Sequence, residues 1–121
     1  MIKWSDEAFV LSARPHGETA LILQLLTRDH GRHAGLVRGG QSSRQRALYQ
    51  SGNRLTVEWS ARLADYLGSY RCELEQNNAA GILDDRARLT ALSAAVAVAE
   101  RALPEREAHP GCFHAFAVLL S

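Results

Sequence analysis

The sequence has little cysteine. The two cysteines, Cys72 and Cys112, lie forty positions apart and form no CxxC pair. This spacing gives no support to a disulfide or a zinc site. We expect two free, buried thiols, as is usual in a reducing compartment. No apolar run approaches the ~20 residues of a membrane span, and the N-terminus lacks the long apolar stretch of a signal peptide. These absences predict a cytoplasmic protein that does not enter a membrane.

The sequence also lacks the motifs of common enzymes. It contains no GxSxG, no GxxxxGK[ST] and no Cys/His dyad. The paired carboxylates Asp84 and Asp85 precede a helical pattern, so a helix cap explains them. His30 and His33 form an HxxH pattern, but residues three apart on a strand point to opposite faces, and the arginines around them would repel a cation. We therefore predict no enzyme activity, no metal and no cofactor.

Acidic residues are absent from one stretch, "GRHAGLVRGGQSSRQR" from Gly31 to Arg46, which holds four arginines and four glycines. Residues 28–54 carry six arginines against one acid, Asp29, although the whole chain has a net charge of only +1. Arginine forks bind phosphate oxygens in pairs, and neutralising phosphates releases counterions. The predicted DNA contacts are Arg32, Arg38, Arg44, Arg46 and Arg54, with Arg28 and His33 as lesser contributors. A solvated loop that only keeps the protein soluble is the alternative.

Aromatic residues make up only 7% of the chain, so few rings are present on which bases could stack. Tyr49 lies in the basic region and is a candidate for stacking. Trp59 alternates onto one strand face with Leu55 and Val57, and Tyr70 lies on the apolar face of the next strand, so both faces are predicted to belong to the core. We expect binding through phosphates with little base specificity.

The pattern along the chain predicts five strands followed by helices. Strands are expected at residues 7–14, 19–27, 32–39, 55–62 and 67–75, with a long loop at 39–53. Five antiparallel strands with a long loop after the third fit an OB-like barrel, and an SH3-like barrel is the nearest competitor. Asp84 or Asp85 is expected to cap a helix that Pro104 ends, and Pro110 to begin another.

Several segments resemble the amino-terminal domain of the bacterial recombination mediator family RecO. They are "DEAFVLSARPHGE", "LTRDHGR", "GLVRGGQSSRQR" and the later "LGSYRCELEQNNAAGILDD". Their order and spacing agree with that family over essentially the whole chain. The resemblance implies an OB-fold domain over residues 1–78 and the start of a helical domain over 79–121, which continues in full-length members.

The resemblance also implies a function. The family binds single- and double-stranded DNA, anneals complementary strands, works with RecR and helps RecA to load onto strands covered by the single-strand binding protein SSB. In the family, the pocket for the SSB tail and the zinc-binding cysteines of many members lie mainly beyond the position of Ser121. Neither Cys72 nor Cys112 matches one of those zinc-binding cysteines. The alternative is a protein-interaction module that docks a partner such as RecR without binding DNA itself.

Overall fold

The computed structural model describes all residues, 1–121. The strands are β1 (Ile2–His16), β2 (Ala20–Thr27), β3 (Gly31–Val37), β4 (Arg54–Ala61) and β5 (Ser69–Gln76). The helices are α1 (Ser43–Arg46), α2 (Asn78–Ile82), α3 (Arg86–Ala102) and α4 (Pro110–Leu119), and a 3-10 turn covers Ala47–Tyr49. No helix combines the length and the apolar character that crossing a membrane requires.

The five strands close into a barrel in the order β1-β2-β3-β5-β4. Antiparallel pairing of β1 with β4 joins the two ends of the sheet. Between β3 and β5 the strands run parallel and make a single pair, Leu36 with Ser69. The arrangement confirms the predicted OB-like barrel followed by helices, with one weakly paired seam in its wall.

The alternating face predicted for β4 is confirmed as core. Leu55, Val57 and Trp59 are all at most 2% exposed and lie inside the barrel, and Tyr70 of β5 joins them at 4%. The indole of Trp59 donates to the Leu67 carbonyl at 3.0 Å, which satisfies its polar group inside the core. Alternation located these residues because β4 has one face in the core and one towards solvent.

A second core lies outside the barrel, between β1 and the helices. Phe9 and Leu11 point away from the barrel interior, yet they are at most 1% exposed, because residues of α3 and α4 cover them. The Phe9 ring packs against Phe113 and Phe116 with centroids 5.0 and 6.1 Å away. The barrel wall and the helices therefore share one core along β1.

The caps predicted for the helices are confirmed. The Asp85 side chain accepts a hydrogen bond from the Arg88 backbone nitrogen at 3.1 Å and begins α3, and Pro110 occupies the first turn of α4. On α3, Leu92 and Ala99 are buried at 2%. Leu89 has the same helical spacing as Leu92 and Ala99, but it is 41% exposed.

The long loop predicted at residues 39–53 was wrong in its middle, which is helical. Ser42 caps α1 by accepting from the Gln45 backbone nitrogen. The buried Asn53 amide donates to the carbonyls of Ala47 and Leu48 at 3.2 Å and holds the following turn. One helical turn is too short to show a periodic pattern, and the residue that holds it lies after it in the chain.

Candidate nucleic-acid interface

The seven predicted DNA contacts divide into two groups in the structure. Arg38, Arg44 and Arg46 are exposed, and none of them forms an ion pair. They come from the end of β3 and from the α1 turn that follows it, which places three free guanidinium groups within nine residues of chain. The other four are engaged with the protein itself, each in a different way.

Arg28 is exposed but neutralised by neighbouring carboxylates. Its guanidinium lies 2.9 Å from Glu7 and 3.3 Å from Asp29. The hydrogen bond and the charge of Asp29 raise the pKa of Arg28. A phosphate would have to compete with both acids for this side chain, so Arg28 contributes little positive potential.

Arg32 ties the barrel to the segment between α3 and α4. Its Nη2 and Nε donate to the Leu103 carbonyl at 2.9 and 3.0 Å, and Nη1 lies 3.4 Å from Glu105. The Arg32 carbonyl in turn accepts from the backbone nitrogen of Arg106 at 2.7 Å. Its donors are therefore directed into the protein rather than towards solvent.

Arg54 lies between the barrel and α4. Its guanidinium carbon sits 5.4 and 5.5 Å from the ring centroids of Phe9 and Phe113, and a terminal nitrogen lies 3.2 Å from Glu7. The Nε atom is buried and makes no hydrogen bond. These contacts give Arg54 a packing role that combines cation–π attraction with one ion pair.

His33 lies inside the barrel and is only 4% exposed. The ring packs edge-on against Trp4 and Trp59, and Nδ1 lies 3.0 Å from the Ala34 carbonyl. Burial lowers the pKa of His33 to about 4, helped by the nearby charge of Arg106. His33 is therefore neutral at neutral pH and presents no charge to a phosphate.

Tyr49, the predicted candidate for base stacking, is buried and only 5% exposed, so its ring is not accessible to a base. A different ring pair is partly exposed at the opposite end of the barrel. Trp4 stacks on His30 with centroids 3.7 Å apart, and His30 Nδ1 lies 2.7 Å from Asp6. That pair is internally satisfied, so the free arginines remain the feature best suited to a polyanion.

Two arginines outside the predicted set hold notable positions. Arg106, at a positive φ of 64°, donates to the carbonyls of Ala64 and Tyr66 and sits over the Trp59 ring, which fixes the β4–β5 loop. Arg71 is exposed on the outer face of β5 and has no ion pair. The only sequence signal for Arg71 was its place on the polar face of a strand, which does not distinguish it from a solvated residue.

The closed five-stranded barrel, with free arginines beside its third strand, defines the class of small OB-like barrel domains. Residues 1–77 match the family model described as "Recombination protein O N terminal". The chain therefore belongs to the RecO family, and the resemblance proposed from its sequence is confirmed.

Full-length relatives support the same assignment. The chain is 58% identical over 114 residues to "DNA repair protein RecO" of Rhodospirillum centenum, covering 94% of this chain and 46% of that protein. It is 52% identical over 120 residues to the protein of the same name from Rhodospirillum rubrum, covering 99% and 48%, and 45% identical to that of Dinoroseobacter shibae, covering 99% and 50%. The chain thus spans about half the length of the curated relatives it matches.

Proposed function

We propose that this chain is the DNA-binding part of a RecO-type recombination mediator that acts in DNA repair in the cytoplasm. It binds single- and double-stranded DNA through phosphates and brings complementary strands together for annealing, without catalysing a reaction. With RecR as partner, it assists loading of RecA onto strands covered by SSB. The observation that carries this proposal is the cluster of three exposed, unpaired arginines, Arg38, Arg44 and Arg46.

The arrangement of these arginines favours an extended polyanion over a small anion. Residues two apart on a helix point to opposite sides, so Arg44 and Arg46 cannot clamp the same phosphate. They are placed to meet different phosphates along one strand or on two strands. The flanking side chains of Ser42 and Ser43 are also exposed, and serine hydroxyls donate to phosphate oxygens. This geometry supports the proposed annealing, because two strands whose phosphates are neutralised repel each other less.

The usual nucleic-acid face of an OB barrel, strands 2 and 3, is a weaker candidate here. On the outer side of β2 and β3 the one cationic side chain is Arg32, and its donors are bound to Leu103 and Glu105. The segment containing Leu103 lies against that same side, since Glu105 pairs with Arg32 as an isolated bridge. The positive surface lies instead at the end of β3 and on α1.

The double variant Arg44→Ala/Arg46→Ala tests the proposal. Its affinity for a labelled single-stranded oligonucleotide should fall, and the slope of log K against log salt should become shallower by roughly 1.4, because each lost phosphate contact accounts for about 0.7 on single strands. Fluorescence anisotropy at several salt concentrations measures both quantities.

Arg86→Ala/Arg101→Ala is the matched control, since it removes two exposed, unpaired arginines from α3. We expect this control to bind with the wild-type slope. Equal losses in both double variants would show that only net charge matters. If the wild-type chain fails to bind DNA at low salt but binds RecR, the protein-interaction alternative replaces the proposal.

A further inference from the structure

The seam between β3 and β5 opens into a cleft that contains no acidic residue. Its volume is about 580 Å³, and it is lined by Val37, Arg38, Gly39, Gln45, Tyr49, Ser69, Tyr70, Arg71 and Cys72. The strands pair only at Leu36 and Ser69, so beyond that point they no longer form a continuous wall. The cleft is the gap that this separation leaves, closed at its far side by α1 and the 3-10 turn.

Two exposed arginines, one on each side of the seam, line the cleft. Arg38 lies two residues after Leu36, and Arg71 lies two residues after Ser69. Arg38 is the first residue after β3, Arg71 belongs to β5, and both exposed side chains line the cleft. Neither has a carboxylate partner.

Like charges that line the same cleft repel each other unless an anion lies between them. Glu58 faces Arg71 in the β4–β5 register, but the carboxylate ion pair that Glu58 makes is with Lys3, at 3.9 Å. The cleft therefore holds two guanidinium groups that form no ion pair, and one phosphate group could accept hydrogen bonds from both.

The floor of the cleft is neutral, and hydrogen-bonding groups lie at its sides. Burial raises the pKa of the Cys72 thiol to about 12, and burial also raises the pKa of the Tyr49 phenol, so neither group brings a negative charge at neutral pH. The Gln45 amide and the Ser69 hydroxyl supply donors and acceptors at the sides. Such a surface suits an uncharged nitrogenous base.

We propose that the β3–β5 seam cleft binds one nucleotide of a single DNA strand, with its phosphate between Arg38 and Arg71 and its base in the cleft beside Gln45 and Ser69. This inference rests on the proposed DNA-binding function and adds a site to it. In a duplex the bases are paired and stacked, so a duplex cannot place a base in the cleft and does not bring a phosphate between Arg38 and Arg71. We therefore expect the cleft to make the protein bind single strands more tightly than duplexes.

The test compares three probes of about 16 nucleotides: an oligothymidylate, a duplex and an abasic strand that keeps its phosphates. Arg71→Ala should lower oligothymidylate affinity by roughly tenfold, as expected for a lost charge-assisted contact, and duplex affinity by less than about twofold. Ser69→Trp keeps the charge but fills the cleft, and it should abolish the preference for oligothymidylate over the abasic strand. Arg101→Ala is the charge-matched control, and thermal unfolding midpoints verify that each variant is folded.

The outcomes separate the two proposals. If the wild-type chain binds none of the probes, the DNA-binding function fails and the cleft site fails with it. If the wild-type chain binds the abasic strand as well as oligothymidylate, DNA binding stands and the cleft site is overturned. Equal losses of single-strand and duplex affinity in Arg71→Ala also overturn it, because Arg71 would then be an ordinary rim contact.

Discussion

Replacing Phe9 with alanine is expected to lower the free energy of unfolding by about 3–5 kcal/mol, the usual range for a buried phenylalanine. The ring is 1% exposed and contacts Phe113, Phe116 and the Arg54 guanidinium. Its loss opens a cavity between β1 and α4 and leaves Arg54, whose Nε already lacks a hydrogen bond, without one of its two rings. Urea unfolding followed by far-UV circular dichroism measures the change.

The same variant shows whether the barrel and the helices unfold together. Because Phe9 lies on the barrel wall but packs against α4, we expect one cooperative transition that moves to lower urea. Leu83→Ala is the control, since Leu83 is 70% exposed, and it should change stability by less than about 0.5 kcal/mol. A Phe9→Ala protein in which only the helical signal is lost at low urea would contradict a shared core and indicate two independent units.

Phe9 also shows where sequence patterns stop being informative. Leu55, Val57 and Trp59 were identified as core because β4 has one wet face. In β1 the run from Ala8 to Leu11 is buried on both faces, so the alternation disappears and the outer pair cannot be recognised. That pair is covered by α3 and α4, which lie far later in the chain.

The sequence likewise predicted the basic segment of the candidate site but not which of its arginines are free. Charge located the basic segment, and Arg38, Arg44 and Arg46 are free within it. Arg32 and Arg54 look identical to them in sequence, but their partners, Leu103 and Phe113, are distant in the chain. Arg71 was overlooked for the converse reason: it lines the same cleft as Arg38, and alternation along β5 does not reveal that the two residues share a cleft.

The stability of the protein should also depend on pH through His33. The pKa of His33 is about 4 in the folded protein and about 6.5 in an unfolded chain. Below pH 6.5 the unfolded chain therefore takes up a proton that the folded protein does not, so His33 favours unfolding as the pH falls. The stabilisation is fully present above pH 6.5 and is lost towards pH 4, by up to about 3 kcal/mol.

The physical cause is the interior position of the ring at the aromatic end of the barrel. Trp4, Trp59 and Tyr70 surround it, and a proton on the ring would be desolvated there. Arg106 and His30 oppose that proton further by their charges, whereas Glu105 and the Ala34 carbonyl favour it less strongly than burial opposes it. The balance keeps the folded ring neutral.

His33→Gln isolates this contribution, because a glutamine amide stays neutral and still donates a hydrogen bond. The free energy of unfolding, measured in urea from pH 7 to pH 4, should fall less steeply in the variant than in the wild type. Groups that titrate equally in both proteins cancel in the difference. His16→Gln, a change at an exposed histidine, should follow the wild-type curve. Parallel curves for His33→Gln and the wild type would mean that His33 accepts its proton in the folded state, which is incompatible with a dry interior at this end of the barrel.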